Sequence, residues 1–180
     1  MPLWIVQRTS LPASTAGALL LLNTVIVIVL QTRVASEVGS AGAASRLLIR
    51  SSVVAVLGFA AMLLSAGRFP VAVEAIAIVV GLLLVTLCEL LSSAAAWTCR
   101  FDFAVDGRQG EYGALFGLGE SAVSWVAPGI LGLVLQLWGG AVWLLLGAVY
   151  LGIAVASPAT VSWCARTRPA REVSQPLRAG

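Results

Sequence analysis

Charge is missing from this chain over stretches far longer than a water-soluble fold tolerates. Between Arg8 and Arg33 lie 24 residues without a charged side chain. As a helix they would span roughly 36 Å, enough to cross a hydrocarbon core of about 30 Å. Between Arg50 and Arg68 lie 17 more. Leu47, Leu48 and Ile49 extend that run, and Arg50 can snorkel to the interface. A third run, Val71 to Ala96, contains only Glu74 and Glu89 as charges. From Tyr112 to Ala165, 54 residues carry a single charge, Glu120. That length would make roughly 80 Å of helix, too much for one crossing. The break falls at Trp138, Gly139 and Gly140, because paired glycines end helices and Trp favours the interface. The pattern predicts an all-α, polytopic bundle with a transmembrane domain over 1–164. Its spans are expected near 11–33, 47–66, 71–96, 112–137 and 141–164. The Arg- and Pro-rich segment 165–180 is expected to be a disordered cytoplasmic tail.

Composition agrees and removes whole classes of chemistry. Charged residues make up 11% and apolar residues 59% of the chain, against roughly 25% charged in soluble domains. No polar stretch is long enough for a second, soluble domain. Histidine is absent, which excludes His-based acid–base catalysis and His-ligated metals. Cys88, Cys99 and Cys164 form no CxxC pair, so neither a metal centre nor a redox motif is suggested. No cofactor, no metal, no nucleic-acid partner and no enzymatic activity is expected. A cleavable signal peptide is not expected either, since the first apolar stretch is too long for one.

The arginines orient the spans. Nine of the eleven basic residues fall in the 1–2 link (Arg33, Arg46, Arg50), the 3–4 link (Arg100, Arg108) and the tail (Arg166, Arg168, Arg171, Arg178). Only Arg8 and Arg68 belong to the opposite face. The positive-inside bias therefore predicts a cell-membrane protein with its C-terminus cytoplasmic and its N-terminus outside. The opening residues Met1 to Val6 are an apolar stub too short to span. They read either as the last turns of a helix that begins elsewhere or as a short interfacial tail.

Several stretches resemble a known family. Leu22–Arg33 resembles the eighth helix of drug-efflux-type transporters of the major facilitator superfamily. Gly107–Gly119 resembles the link from the tenth into the eleventh helix, and Ala127, Pro128 and Gly129 the break inside the eleventh. Trp138–Trp143 is similar to the turn before the twelfth. The resemblance implies a partial major facilitator fold, helices eight to twelve of twelve. It also implies a C-terminal portion of a secondary transporter, incomplete alone, that would need an N-terminal half as partner. The cytoplasmic motif the family carries between helices is here reduced to Arg33 and Glu37 before Gly39, without its leading glycine. The family's efflux-associated motif on helix five has no counterpart here, so the resemblance says nothing of drug specificity.

Counting along the helices singles out two intramembrane carboxylates, Glu89 and Glu120, each about 12 Å below the predicted inner boundary. Ionised side chains at such depth cost roughly 2.5–3.5 kcal/mol on insertion scales, so they usually face a cavity or a partner. Thr86, Ser92 and Ser93 share a helix face with Glu89, and Gly113, Gly117 and Ser124 with Glu120. One reading is a protonatable coupling site or a contact for a cationic substrate; the other is packing. Asn23, Thr24 and Gln31 are the polar residues of the first span, either substrate contacts or interhelical hydrogen-bonding groups. Glu74, near the outer end, reads as solvated. Gly113 with Gly117, and Ala148 with Gly152 and Ala156, read as sites of close helix approach. Pro128 and Gly129 predict a kink. The leading expectation is transport of a small molecule coupled to protons across a lipid bilayer. The rival is a self-standing five-span scaffold or assembly subunit whose Arg tail binds anionic lipid.

Overall fold

The computed structural model describes residues 2–9, 11–12, 14–35, 41–66, 69–102, 104 and 108–167. Every regular element among them is an α-helix: α1 (Pro2–Arg8), α2 (Ser14–Ala35), α3 (Ala41–Leu64), α4 (Val71–Asp102), α5 (Gln109–Trp138) and α6 (Ala141–Thr167). The five helices α2 to α6 are each long and apolar enough to cross a membrane. The physical reason is general: in hydrocarbon every backbone N–H and C=O must be satisfied within the chain, and a helix does this segment by segment. The chain is thus a multi-pass, all-α membrane protein. Its surface suits lipid, with Trp125, 85% exposed, as the extreme case.

The helices overrun the charge-free runs. α3 starts at Ala41 rather than near 47, and α4 continues past Ala96 to Asp102. α6 reaches Thr167, three residues into the stretch assigned to the tail. Residues 168–180 and the Glu37–Gly39 part of the first link lie outside the described residues. The turn between α5 and α6 is made by Gly139, at φ 54°, whose N–H donates to the Leu135 carbonyl at 3.0 Å. A Cβ there would meet the Arg8 guanidinium at 3.3 Å, so both backbone and space favour glycine.

α3 is the central helix, packed along α4 on one side and α6 on the other, while α2 lies against α4. The larger apolar core sits at the α1 end, around Trp4, Phe59, Met62, Ile78 and Trp143. Trp4 donates its indole N–H to Ser65 Oγ at 2.9 Å and meets Trp143 edge-on at 5.2 Å. A smaller cluster of Ala44, Leu47, Leu91 and Ala95 holds α3 to α4 at the other end. Buried hydroxyls return to their own helix: Ser51 and Ser52 both donate to the Leu48 carbonyl, at 2.9 and 2.8 Å.

Two expectations about packing change. Glu74 is not solvated; it is buried, 1% exposed. Its helical phase explains this, since Ile78, Leu82 and Thr86 follow at intervals of four on the packed face of α4, and all are buried. The close helix approach does not use Gly117 or Gly152, which face open space. It uses Gly58 and Gly81, where α3 crosses α4. Gly113 is approached by a side chain, that of Arg100, rather than by a helix backbone.

Candidate functional site

α4 positions the site. Glu89 sits near its middle with an exposed side chain, just off the buried stripe of Thr86 and Cys88. It lines three separate cavities. The first, about 80 Å³, lies between α2 and α4 and includes Asn23, Leu82, Val85 and Thr86. The second is an open cleft of about 710 Å³ between α4 and α5, walled by Ser92, Ser93, Trp97, Arg100, Phe116 and Glu120. The third, about 540 Å³, reaches toward the α5–α6 turn past Ser124, Pro128, Leu135 and Trp143.

The polar stripe predicted around Glu89 is therefore divided. Thr86 turns toward the small cavity, while Ser92 and Ser93 turn toward the cleft. Linings on α4 run from Ile78 in the first cavity to Arg100 in the second. The two lie 22 positions apart, roughly 33 Å of helix, about the thickness of a hydrocarbon core. Glu89 is the residue of α4 shared by both.

Other predicted site residues separate into two groups. Glu120 lines the same cleft as Glu89, from the facing helix. Asn23 lines the small cavity and is hydrogen-bonded to Thr86 Oγ1 across the α2–α4 contact. Thr24 instead donates to its own Leu20 carbonyl at 3.0 Å and is exposed. Gln31 is exposed near the end of α2 and lines none of the three cavities. Pro128 lines the third cavity with α5 helical on both sides of it, and Gly129 has nothing near its open face.

Arg100 is the functional candidate that sequence reasoning passed over. Its guanidinium donates to the Gly113 carbonyl at the start of α5 and lies over the Trp97 ring, 4.6 Å from its centroid. Gly113 and Leu135 are the only buried residues of α5 among those described, one near each end. Arg100 thus closes the base of the cleft where α5 is pinned to α4. The signal in the sequence was Trp97 followed three residues later by Arg100, a spacing that stacks the two on one helix face.

Among the described residues no group of three or more Cys, Asp or Glu is placed to hold a metal ion. No protein-family model matches the chain, and no curated protein or solved structure matches it.

Proposed function

We propose that this chain is the C-terminal portion of a secondary transporter of the major facilitator type, moving a small molecule coupled to protons, with Glu89 as the coupling group. The observation that carries the reading is the place of Glu89, a carboxylate shared by cavities that together follow α4 over its membrane-crossing length. Glu120, Ser92 and Ser93 give the cleft polar contacts for a substrate, and Trp97 and Phe116 give it apolar ones. The cleft is open along α5, whose middle is exposed. On this reading a further helical half closes it, as in transporters whose substrate path lies between two repeats. The efflux branch of the family is the expected one.

Two experiments bear on this reading. In a cysteine-free background, single cysteines at positions 46, 108 and 171 are expected to be labelled only from the cytoplasmic side of the cell membrane. Cysteines at 68 and 140 are expected to be labelled only from outside. Labelling of position 108 from outside overturns the orientation, which rests on the arginine count. The second experiment places purified 1–180 in liposomes under a proton gradient. No substrate-dependent proton flux is expected above that of empty liposomes. Saturable flux by this chain alone removes the need for a second half and favours an oligomeric pore. If co-expression with candidate N-terminal halves also restores no flux, the scaffold reading replaces transport.

A further inference from the structure

The cleft between α4 and α5 holds charges of both signs that do not neutralise one another. Glu89, Glu120 and Arg100 line it. Among the described residues none of the three forms an ion pair. Arg100 instead donates to the Gly113 carbonyl and lies over the Trp97 ring. Helix spacing keeps it from Glu120. Gly113 and Glu120 lie seven positions apart on α5, so they share a face and stand roughly 10 Å apart along the axis. Charges inside a membrane protein usually pair with one another or mark a substrate path. Here the two signs are held at different levels of one cleft. A guanidinium has five N–H donors, so the contact with Gly113 leaves Arg100 able to hold an acid.

We propose that this cleft binds an elongated zwitterion, with its ammonium on Glu120, its acid on Arg100 and its apolar middle beside Phe116. The proposal rests on reading the cleft as the substrate site, and it names the substrate's class. On that reading Glu89 exchanges its charge with a proton, which leaves Glu120 and Arg100 as the fixed charges of the cleft. A ligand with one charge of each sign matches both. A simple cation or anion leaves one of them uncompensated at membrane depth. Phe116 is three positions from Gly113 and four from Glu120, so it lies midway between the charges on the same face of α5. Ala96 and Gly119 are the small residues of the walls, and a Cβ on Gly119 would meet nothing within 4 Å. The cleft therefore keeps room between its charges for the body of a ligand. Its volume of about 710 Å³ is that of a small-molecule site.

Three residues of extended peptide also span roughly 10 Å. The tripeptide alanyl-phenylalanyl-alanine therefore serves as the probe. It carries an ammonium at one end, a carboxylate at the other and a phenyl ring between them. Its acetylated form keeps only the acid, and its amidated form keeps only the ammonium.

Binding is measured by isothermal titration calorimetry to the full chain in phosphatidylcholine nanodiscs, with the signal of empty nanodiscs subtracted. The free tripeptide is expected to bind about tenfold more tightly than either blocked form, the effect of gaining one charge-assisted contact. Glu120→Gln should erase its advantage over the acetylated form, and Arg100→Gln its advantage over the amidated form. Glutamine at position 100 still offers an N–H to the Gly113 carbonyl, so the contact between α4 and α5 is kept while the charge is lost. Arg100→Lys, which keeps the charge, should retain most of the preference. Tm is followed for each variant, and if Arg100→Gln loses stability the three peptides on the parent chain decide by themselves. Equal binding of the three forms, binding of none, or a preference that survives both glutamine variants overturns the proposal and leaves Arg100 as a pin between α4 and α5 only. Tighter binding of the amidated form also overturns it and makes the ligand a simple cation. Such failure is distinct from failure of the transport reading, because flux coupled through Glu89 can persist with a singly charged substrate.

Discussion

On the proposed transport reading, Glu89→Gln is expected to reduce coupled transport by the chain with its partner half to the level of empty vesicles while leaving membrane insertion intact. Glutamine keeps the size and hydrogen-bonding reach of the side chain but cannot take up or release a proton. The effect should be near complete because Glu89 is the group common to the cavity beside α2 and the cleft beside α5. An ion that enters by one and leaves by the other must pass it. Glu120→Gln is expected to cause only partial loss. Of the three cavities Glu120 lines the cleft alone, so on the same reading substituting it would remove a substrate contact without closing a route. The measurement is uptake or resistance with and without a proton gradient, at matched expression of each variant. Substrate exchange without a gradient separates the two roles: Glu89→Gln should retain exchange, whereas Glu120→Gln should weaken it. Wild-type coupling in Glu89→Gln would make the carboxylate structural and sink the proposed function.

That these two carboxylates share a level was readable because it depends only on counting. A rise of about 1.5 Å per residue carries Glu89 and Glu120 from their helix ends to similar levels, and the cleft brings them onto facing walls. Which polar residues of α2 join them was not readable in the same way. Thr24 and Gln31 do share a face, as their spacing of seven requires, but that face is the exposed one. Asn23 is one position away and shares its face with Leu19, four residues earlier, which is buried; both line the small cavity beside α4. Periodicity groups residues into faces, and only packing says which face is covered. Glu74 shows the converse. Its spacing from Ile78, Leu82 and Thr86 was visible in the sequence and pointed to burial. Treating any charge near a helix end as solvated hid it. Arg100 was counted as one more basic residue of a loop, because the apolar run stops before it; α4 in fact continues to Asp102 and carries it to the base of the cleft.

The α3–α4 crossing was the least readable feature and carries the second large effect. Gly58→Leu is expected to prevent stable folding. A Cβ on Gly58 would lie 3.1 Å from Leu84 Cβ, 3.1 Å from Val85 Cγ2 and 3.3 Å from the Val85 backbone nitrogen. The nitrogen cannot yield unless α4 as a whole moves away. Overpacking of this kind costs typically about 1–3 kcal/mol and occasionally more, and leucine adds three carbons beyond the Cβ. Gly81 is on the other side of the same crossing, yet its alanine variant should be tolerated. Its nearest neighbour, at 2.6 Å, is the terminal methyl of Met62, which can swing aside. The Gly58 carbonyl and Met62 Cγ, both at 3.2 Å, are then the tightest remaining contacts. Alanine also recovers up to about 1 kcal/mol of helix propensity over glycine. Gly117→Ala is the control, having nothing within 4 Å to disturb. Thermal unfolding in detergent, followed by circular dichroism and size-exclusion profile, should rank Gly58→Leu far below the parent chain and both alanine variants near it. The crossing also sets the position of Val85, which separates the small cavity from the third one one turn above Glu89. A milder variant, Gly58→Ala, should therefore disturb coupling before it abolishes folding. If Gly58→Leu unfolds at the parent temperature, α3 does not cross α4 at this glycine, and Val85 is held in place by other contacts.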